Sequence, residues 1–269
     1  MLIAYKYRLY PNKEQERFFV KSFGCVRFIY NRMLSDKIIY YKKTKQKLNN
    51  TPAQYKKEFP WLKEVDSLAL ANAQINLQTA YNNFFKRPEV GFPKYKSKKD
   101  NHFSYTTNNQ GGNIYVSDRY IKLPKIGLVR VKKHREFDGL IKSVTVSKIP
   151  SGKYYVSVLV EQEEKEKLPN NNVSIGIDLG IKEFAITSDG EMIENPKFLR
   201  KSEKRLRKLQ KDLSRCKKGS KNREKCRVKV AKQHEKISNQ RKDFLHKVSK
   251  KIIDDNQVIA LETLPVKNM

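Results

Sequence analysis

The sequence predicts an α+β protein: an antiparallel β-barrel with a helical insertion, followed by a second α/β region with a long basic helical hairpin. Three observations lead to this fold class. Short alternating segments separated by glycine turns occupy residues 103–160, and helical periodicity occupies residues 13–87. Between residues 197 and 253, a second helical stretch separates two apolar strands that each end in an acid. A chain of 269 residues is long enough for about two domains of ordinary size.

The N-terminal part begins with a strand and continues as helices. Residues 3–9 alternate between apolar and polar side chains and stop at Pro11. Over residues 13–43 the apolar side chains follow helical spacing, and we place a turn at Gly24, which gives a helix-turn-helix-like pair. Helical periodicity resumes over residues 67–85, so we expect the whole stretch of residues 13–87 to be helical.

Short strands follow at regular spacing. Each alternates in polarity and is bounded by glycine or asparagine turns. They cover residues 103–105, 113–116, 120–123, 128–132, 142–147 and 153–160. This spacing favours a small antiparallel barrel. The charged and asparagine-rich residues 161–172 that follow indicate a linker.

The net charge of +30 indicates a polyanionic partner. Nucleic acid is favoured over an anionic membrane, because the sequence has no apolar run long enough to span a bilayer, no signal peptide and no lipidation motif. Residues 197–251 hold 23 Lys/Arg against 5 Asp/Glu, which is +18 of that charge. Like charges one helical turn apart destabilise an isolated helix, so we expect a polyanion to neutralise them.

Basic residues in two segments are the predicted nucleic-acid contacts. In residues 92–105 lysines alternate with aromatic side chains that either stack on unpaired bases or simply pack within a sheet. Asn31 and Arg32 either reach a groove or flank the core, and we favour the core. The predicted contacts are Lys94, Lys96, Lys98, Arg205, Lys208, Lys211, Lys218, Lys221, Arg223 and Arg241.

The cysteine and histidine spacing predicts no zinc site. Cys25, Cys216 and Cys226 form no Cys-x-x-Cys pair, and the four histidines are spread apart. Three thiols without an export signal fit a reducing cytoplasm, and we expect ordinary helix or core roles for them.

Two acids at strand ends are the predicted chemical site. Asp178 ends the apolar run Ser174-Ile-Gly-Ile and precedes Gly180, and Glu262 ends Val258-Ile-Ala-Leu. A carboxylate at the end of a buried strand must be paired or bind a metal ion, because an unpaired buried charge is costly. The Gly-x-Asp-x-Gly pattern occurs in RNase H-like nucleases and also in sugar-kinase and actin-like folds, and Asp178 alone is also consistent with a hairpin cap. A second acid on a later strand favours the RNase H arrangement.

Several segments together resemble the TnpB (OrfB-type) family, the transposon-encoded RNA-guided nucleases related to type V CRISPR effectors. These segments are residues 5–11, 25–31, 84–87, 91–98, 176–185, 239–246 and 261–269. The resemblance implies a wedge-like β-barrel (residues 1–12 and 88–168) around a helical recognition insertion (13–87). A RuvC domain of RNase H type (169–269) follows.

The resemblance also implies the function. Asp178 and Glu262 match the first two RuvC acids, which are catalytic and bind Mg²⁺ or Mn²⁺. The partners implied are guide RNA and DNA, and the basic hairpin lies along the guide–target duplex, where base pairing supplies sequence specificity. The expected activity is cleavage of DNA phosphodiesters in support of transposon retention, in the prokaryotic cytoplasm near the nucleoid.

This sequence departs from the family pattern after residue 262. Family members continue into a helix, a Cys-x-x-Cys zinc ribbon and a third RuvC aspartate, which these 269 residues do not contain. We therefore expect a C-terminally truncated member with weak or no nuclease activity and a partial RuvC sheet. Asp254 and Asp255 are expected to be surface acids at a helix end rather than substitutes for the third acid. The alternative is a nuclease-dead RNA-guided protein, or a plain DNA- or RNA-binding protein of repressor type.

Overall fold

A computed structural model describes residues 1–100, 103–163 and 173–262 of the chain. They belong to two compact units, Met1–Glu164 and Lys165–Met269. Each unit has its own sheet and its own helices, which confirms the predicted α+β class. Most of the predicted linker, residues 161–172, and residues 263–269 of the last family-like segment lie outside the described residues.

The first unit contains one antiparallel sheet of seven strands. They are β1 (Leu2–Tyr10), β2 (Phe103–Asn108), β3 (Tyr115–Val116), β4 (Tyr120–Leu123), β5 (Gly127–Lys132), β6 (Leu140–Lys148) and β7 (Tyr154–Glu161). Their order across the sheet is β2-β6-β7-β1-β5-β4-β3. Within the described ranges β2 and β3 do not pair with each other, so the sheet is open and the predicted closed barrel is wrong. Alternation along each strand predicts the strands, but the pairing that would close a barrel leaves no such pattern.

Three α-helices follow β1 before the rest of the sheet. They are α1 (Lys13–Thr44), α2 (Pro52–Glu58) and α3 (Ser67–Lys86), and a short 3₁₀ helix at Pro60–Glu64 separates α2 from α3. The predicted turn at Gly24 is wrong, because α1 continues through it. A glycine inside a helix costs only about 1 kcal/mol relative to alanine. Phe23 and Cys25 on either side are buried and outweigh that cost.

Helices α1 and α3 cover one face of the sheet. The inward residues of the central strands alternate with outward ones, as in Tyr7 and Leu9 of β1 and Val156 and Val158 of β7. On α1, fully buried side chains recur at helical spacing, and Phe19 packs against rings from β2 and β7. The helix begins with a capping box, in which Asn12 and Gln15 each accept a hydrogen bond from the other's backbone N–H. The first unit is therefore built on one continuous apolar core.

The second unit combines a four-stranded sheet with two long helices. Its elements are β8 (Ser174–Leu179), β9 (Glu183–Thr187), β10 (Met192–Glu194), α4 (Phe198–Arg215), α5 (Lys221–Asp255) and β11 (Val258–Leu261). The sheet order is β10-β9-β8-β11, with β11 parallel to β8 and the other pairs antiparallel. The predicted strand that ends at Asp178, the helical hairpin and the last strand are confirmed. Strand β10 was not predicted, because three residues are too few for alternation to be recognised.

The core of the second unit is small. Ile175, Ile177 and Ala185 are buried, and half-buried side chains from α5 and β11 pack against them. The ring of Phe244 on α5 lies edge-on to Phe184 on β9 at a centroid distance of 5.0 Å, which ties the helix to the sheet. No helix in the described part of either unit is long and apolar enough to cross a membrane.

Candidate nuclease site and nucleic-acid surfaces

Strand β8 separates its apolar side chains from its acid by simple alternation. Ile175 and Ile177 are buried on the core face. Gly176 and Asp178 occupy the intervening positions and therefore lie on the opposite face, since successive side chains of a strand point to opposite sides. The period-two pattern thus fixes where the Asp178 carboxylate emerges.

Parallel pairing with β11 brings the second acid to the same place. The register pairs Ala260 with Gly176 and Leu261 with Ile177, so the next position sets Glu262 beside Asp178. Matched positions on adjacent parallel strands share a face and are separated by about 4.8 Å. The two predicted acids are therefore neighbours on one side of the sheet.

Asp178 and Glu262 line the same open pocket, whose volume is about 400 Å³. The remaining lining comes from the strands and turn around Asp178: Gly176, Ile177, Ile186, Thr187 and Ser188. The lining thus combines two isoleucines with small or hydroxyl-bearing residues, and the two carboxylates are its charged groups.

Ser188 is a pocket residue that the sequence analysis missed. The backbone N–H of Gly176 donates to Ser188 Oγ over 3.1 Å, and Ser188 N–H donates to the Gly176 carbonyl over 2.8 Å. These two bonds hold the turn after β9 against β8, next to the acid. The sequence Ser188-Asp-Gly190 is typical of a turn, but it gives no indication that the Ser188 hydroxyl faces the strand of Asp178.

Gly180 has a close-approach role just beyond Asp178. A Cβ at this position would lie 2.9 Å from the carbonyl oxygen of Glu183. The Gly180 N–H donates to the Phe184 carbonyl over 3.3 Å, so the β8–β9 connection is tight. The second glycine of the Gly-x-Asp-x-Gly pattern is therefore required by packing.

The predicted burial of the two carboxylates is wrong. Asp178 and Glu262 are both exposed, so neither carboxylate bears the cost of an unpaired buried charge. Their juxtaposition favours a cation instead, because two adjacent negative charges repel and a divalent cation between them removes the repulsion. Across residues 1–100, 103–163 and 173–262 there is no group of three or more His, Cys, Asp or Glu placed to hold a metal ion. Asp254 pairs with Lys250 at the end of α5.

Helices α4 and α5 form the predicted basic hairpin. They pack through a thin apolar seam that includes the buried Leu206 and Ile237. Their acids are mostly paired within one turn, as Glu203 is with Arg207 at 2.6 Å and Asp243 with Lys247 at 2.8 Å. With 23 basic residues against 5 acids, most of the positive charge has no acid available within the hairpin.

The predicted basic contacts of the hairpin occupy exposed positions, with one exception. The exposed ones are Arg205, Lys208, Lys211, Lys218, Lys221 and Arg241. Arg223 is half-buried, and its guanidinium donates to the carbonyls of Leu213 and Cys216 over 2.9 and 3.1 Å. Arg223 therefore stabilises the turn between the helices.

Lys94, Lys96 and Lys98 are exposed in the segment after α3, and Lys96 is held in place. Asn31 on α1 accepts from the Lys96 N–H over 2.8 Å and donates to its carbonyl over 2.9 Å. The Lys96 ammonium lies 4.2 Å from the ring centroid of Tyr30. This partial desolvation lowers the pKa of Lys96. Asn31 thus positions a predicted contact instead of reaching a groove itself.

Exposed aromatic rings lie beside this lysine segment. Phe85 is 74% exposed, and Phe92 lies edge-on to Tyr81 and Phe84 at centroid distances of 5.6 and 5.4 Å. The interleaving of aromatic and basic residues thus corresponds to a real surface, in which Phe92 packs partly against α3.

The outer face of the seven-stranded sheet carries a second basic and aromatic surface, which the sequence analysis missed. The Arg8 guanidinium lies between Tyr155 and Tyr10, 5.2 and 5.4 Å from their ring centroids. Lys6 lies over Tyr155 at 4.9 Å and Arg130 over Tyr10 at 5.9 Å. Alternation in β1 marks Lys6, Arg8 and Tyr10 as one face, but pairing with β5 and β7 is needed to assemble it.

Comparison with known proteins gives similarity along the whole chain. Residues 157–269 match the OrfB_IS605 family, described as "Probable transposase", and residues 1–46 match the HTH_OrfB_IS605 family, described as a helix-turn-helix domain. A Streptomyces pristinaespiralis protein named "Putative RNA-guided DNA endonuclease" is 35% identical over 99% of this chain and 68% of its own length. The Escherichia coli K12 protein "Putative RNA-guided DNA endonuclease InsQ" is 34% identical over 100% of this chain and 67% of its own length.

The fold has a relative among solved structures. The Cas12f1 chain from a cryo-EM structure of a Cas12f1–sgRNA–target DNA complex aligns with a TM-score of 0.62 at 12% identity. The alignment covers 98% of this chain and 81% of the Cas12f1 chain. At that identity the likeness concerns the fold alone.

Proposed function

Because the chain belongs to the IS605 OrfB (TnpB) family of transposon-encoded proteins, we propose that it binds guide RNA and target DNA and contributes two carboxylates to a DNA-cleaving metal site. One observation carries the proposal: Asp178 and Glu262, far apart in sequence, meet at matched ends of two parallel strands and line one pocket. The basic hairpin belongs to the same compact unit.

The donor set fits a hard divalent cation. Carboxylate oxygens are the ligands preferred by Mg²⁺ and Mn²⁺, and adjacent acids on an open pocket leave room for water and phosphate oxygens in the remaining positions. In this proposal Asp178 and Glu262 hold the cation and are the catalytic residues. When bound, such ions activate water for attack on a phosphodiester and stabilise the leaving oxygen.

The neighbouring residues position the acids. The Ser188–Gly176 hydrogen bonds fix the turn against β8, and the close approach at Gly180 restrains the chain directly after Asp178. An arrangement restrained in this way keeps the two carboxylates together against their mutual repulsion until a cation binds.

We propose the following domain roles. Residues 1–12 and 88–168 form a wedge-like domain, residues 13–87 form a helical recognition insertion, and residues 169–269 form a RuvC-like part of RNase H type. The parallel pairing of β8 with β11 and the antiparallel β8–β9 hairpin support the last assignment. The alignment with Cas12f1 over nearly the whole chain supports the order of the parts.

Three surfaces are proposed to bind nucleic acid. The hairpin, through its exposed basic residues, contacts the backbone of the guide–target duplex, since phosphate contacts dominate affinity. The outer sheet face around Arg8 and the lysine segment around Lys96 combine cations with aromatic rings, which suits guide RNA with unpaired bases.

We further propose that a polypeptide limited to these 269 residues cleaves slowly. Mg²⁺ requires near-octahedral coordination, and two monodentate carboxylates supply only a minor part of it. Binding of RNA and DNA depends on surfaces that are separate in sequence from the two acids, so binding without efficient cleavage, as in a repressor, is the second candidate function.

The test combines binding and cleavage on the same samples. The chain, its element-derived guide RNA and matched double-stranded DNA are incubated with Mg²⁺ or Mn²⁺, and product is quantified beside the Kd for guide RNA. Asp178→Asn and Glu262→Gln are expected to abolish residual cleavage and leave RNA affinity unchanged. Glu194→Gln, an exposed acid on β10, is the matched control.

The outcomes separate the two functions. Slow cleavage that disappears in both active-site variants supports the nuclease. Binding with no product from the wild-type chain favours the repressor-like function. Failure to bind guide RNA above a scrambled RNA contradicts both.

A further inference from the structure

The turn of the basic hairpin brings two cysteines into contact. Cys216 is the C-cap residue directly after α4, Cys226 lies in the second turn of α5, and their Sγ atoms are 3.6 Å apart. Both thiols are free and half-buried. They are ten positions apart in the sequence, so spacing alone gave no sign of the contact.

The turn holds the two sulfurs in place. Arg223 bonds two carbonyls at the end of α4, Ser220 Oγ accepts from Arg223 N–H over 3.1 Å, and Gly219 adopts a positive φ of 82°. A disulfide has an S–S length of about 2.05 Å, so closure requires the sulfurs to approach by only about 1.5 Å. Once one of these sulfurs is in a mixed disulfide, the other, restrained at this distance, attacks it in preference to a thiol of a second protein.

We propose that Cys216 and Cys226 are a reversible modification site, closed to a disulfide by a low-molecular-weight disulfide such as oxidised glutathione. This inference does not depend on the proposed nuclease function. One cysteine thiolate attacks the glutathione disulfide, forming a mixed disulfide and releasing one glutathione thiolate. The second thiolate then attacks the protein sulfur and releases the other glutathione. The protein pair is oxidised by two electrons and glutathione disulfide is reduced by the same two.

The local chemistry supports Cys226 as the first to react. The single S–H of Cys216 has two acceptors within reach, Cys226 Sγ at 3.6 Å and the Asp212 carbonyl at 3.2 Å, and donates to one of them at a time. The hydrogen bond to Cys226 is the main reason that the pKa of Cys216 is raised. Once Cys226 has formed the mixed disulfide, that bond is lost and Cys216 is free to ionise and resolve it. Lysines 217, 218 and 221 beside the pair attract the anionic glutathione.

Cys25 serves as an internal control. It is 1% exposed within the core of the first unit, and burial raises its pKa to about 11. It lacks both the access and the thiolate fraction that exchange needs.

The disulfide would change the backbone mobility of the turn between α4 and α5, which lies in the most basic part of the chain. The disulfide closes a loop that includes Lys217, Lys218 and Lys221, and so restricts the backbone that carries two predicted phosphate contacts. In a reducing compartment the pair stays open, and it closes only when the glutathione pool is oxidised.

The experiment treats the folded 269-residue chain with oxidised glutathione at neutral pH, without nucleic acid. Released glutathione is counted and peptides are mapped by mass spectrometry without reduction. The wild-type chain is expected to release two glutathiones per protein, retain none and yield a 216–226 disulfide, with Cys25 unmodified. Cys216→Ser is expected to release one and retain glutathione on Cys226, and Cys226→Ser is expected to react several-fold more slowly.

Stable glutathione adducts on the wild-type chain, or disulfides between chains in place of the internal one, would overturn the proposal. The wild-type peptide map decides this even if a variant fails to fold. Dithiothreitol is expected to restore both free thiols, and a product that resists it also counts against the proposal.

Discussion

The charge of α4 can be removed without disturbing its packing. We consider replacing Arg205, Lys208 and Lys211 together by glutamine. All three are exposed, while Leu206 next to them holds the seam with α5. Each lost contact to duplex phosphate lowers the slope of log K against log salt by ~0.9, so three contacts lower it by up to ~2.7.

The slope converts into an affinity change. Over the tenfold interval from about 1 M to about 0.1 M salt, a slope change of ~2.7 amounts to a loss of up to ~500-fold at the low-salt end. Stability moves the other way. Removing like charges at i,i+3 and i,i+4 relieves about 0.2–0.5 kcal/mol per pair, so the triple variant should unfold at an equal or higher denaturant concentration.

The assay is fluorescence anisotropy with labelled guide–target duplex across a salt series, paired with urea denaturation. The control replaces Lys47, Lys57 and Lys63 by glutamine, which removes the same charge from exposed positions in the first unit. Its slope should change by less than about 1. An α4 variant that stays folded and retains the wild-type slope would refute the role of the hairpin as a phosphate-binding surface.

Four further predictions concern glycine substitutions and pH. Gly24→Ala should raise the free energy of unfolding by about 0.5–1 kcal/mol, because a Cβ there meets open space inside a helix. Gly139→Ala should lower the free energy of unfolding by more than about 2 kcal/mol, because φ is +113° and the new Cβ would clash with the backbone carbonyl oxygen of Glu161. Urea denaturation, with m-values equal to that of the wild type, measures the change in both glycine variants. Burial raises the pKa of Cys25 to about 11, so the neutral thiol stabilises the fold at low pH. That stability, up to about 3 kcal/mol, should be lost between pH 9 and 11 in the wild type and not in Cys25→Ala, measured by denaturation across pH. Gly180→Ala should slow metal-dependent cleavage at least tenfold, because its Cβ would crowd the Glu183 carbonyl. Gly176→Ala is the control and should cleave at the wild-type rate, since its Cβ has only ordinary contacts. Equal cleavage rates for the two variants would show that the tight turn does not position Asp178.

The periodicity of apolar residues predicted the strands and helices that bury one face and expose the other. Strand β1 and helix α3 were placed within two residues of their observed ends, because alternation and helical spacing directly reflect the face that packs on the core. The same signal separated the two acids of the candidate site from the apolar residues of their strands. The RNase H arrangement, which two strand-end acids favour, placed Asp178 and Glu262 side by side, and the parallel register of β8 and β11 aligns them.

Features that depend on pairing between distant segments were not predictable. Four such features depend on residues whose spacing in the sequence carries no signal. They are the open edge of the first sheet, the face of rings and guanidinium around Arg8, the Ser188–Gly176 hydrogen bonds and the contact between Cys216 and Cys226. Gly24 illustrates the opposite failure. A local propensity suggested a turn, and the burial of its neighbours overrode it.

Joint binding of one divalent cation by Asp178 and Glu262 can be measured directly. Mn²⁺ binding, followed by electron paramagnetic resonance of free Mn²⁺, tests it without requiring cleavage or nucleic acid. Asp178→Asn and Glu262→Gln are each expected to weaken Mn²⁺ binding about as much as the double variant does, because each carboxylate alone is a poor site. Glu194→Gln should bind as the wild type does. Single variants that retain wild-type affinity, or whose losses simply add in the double variant, would contradict a shared site.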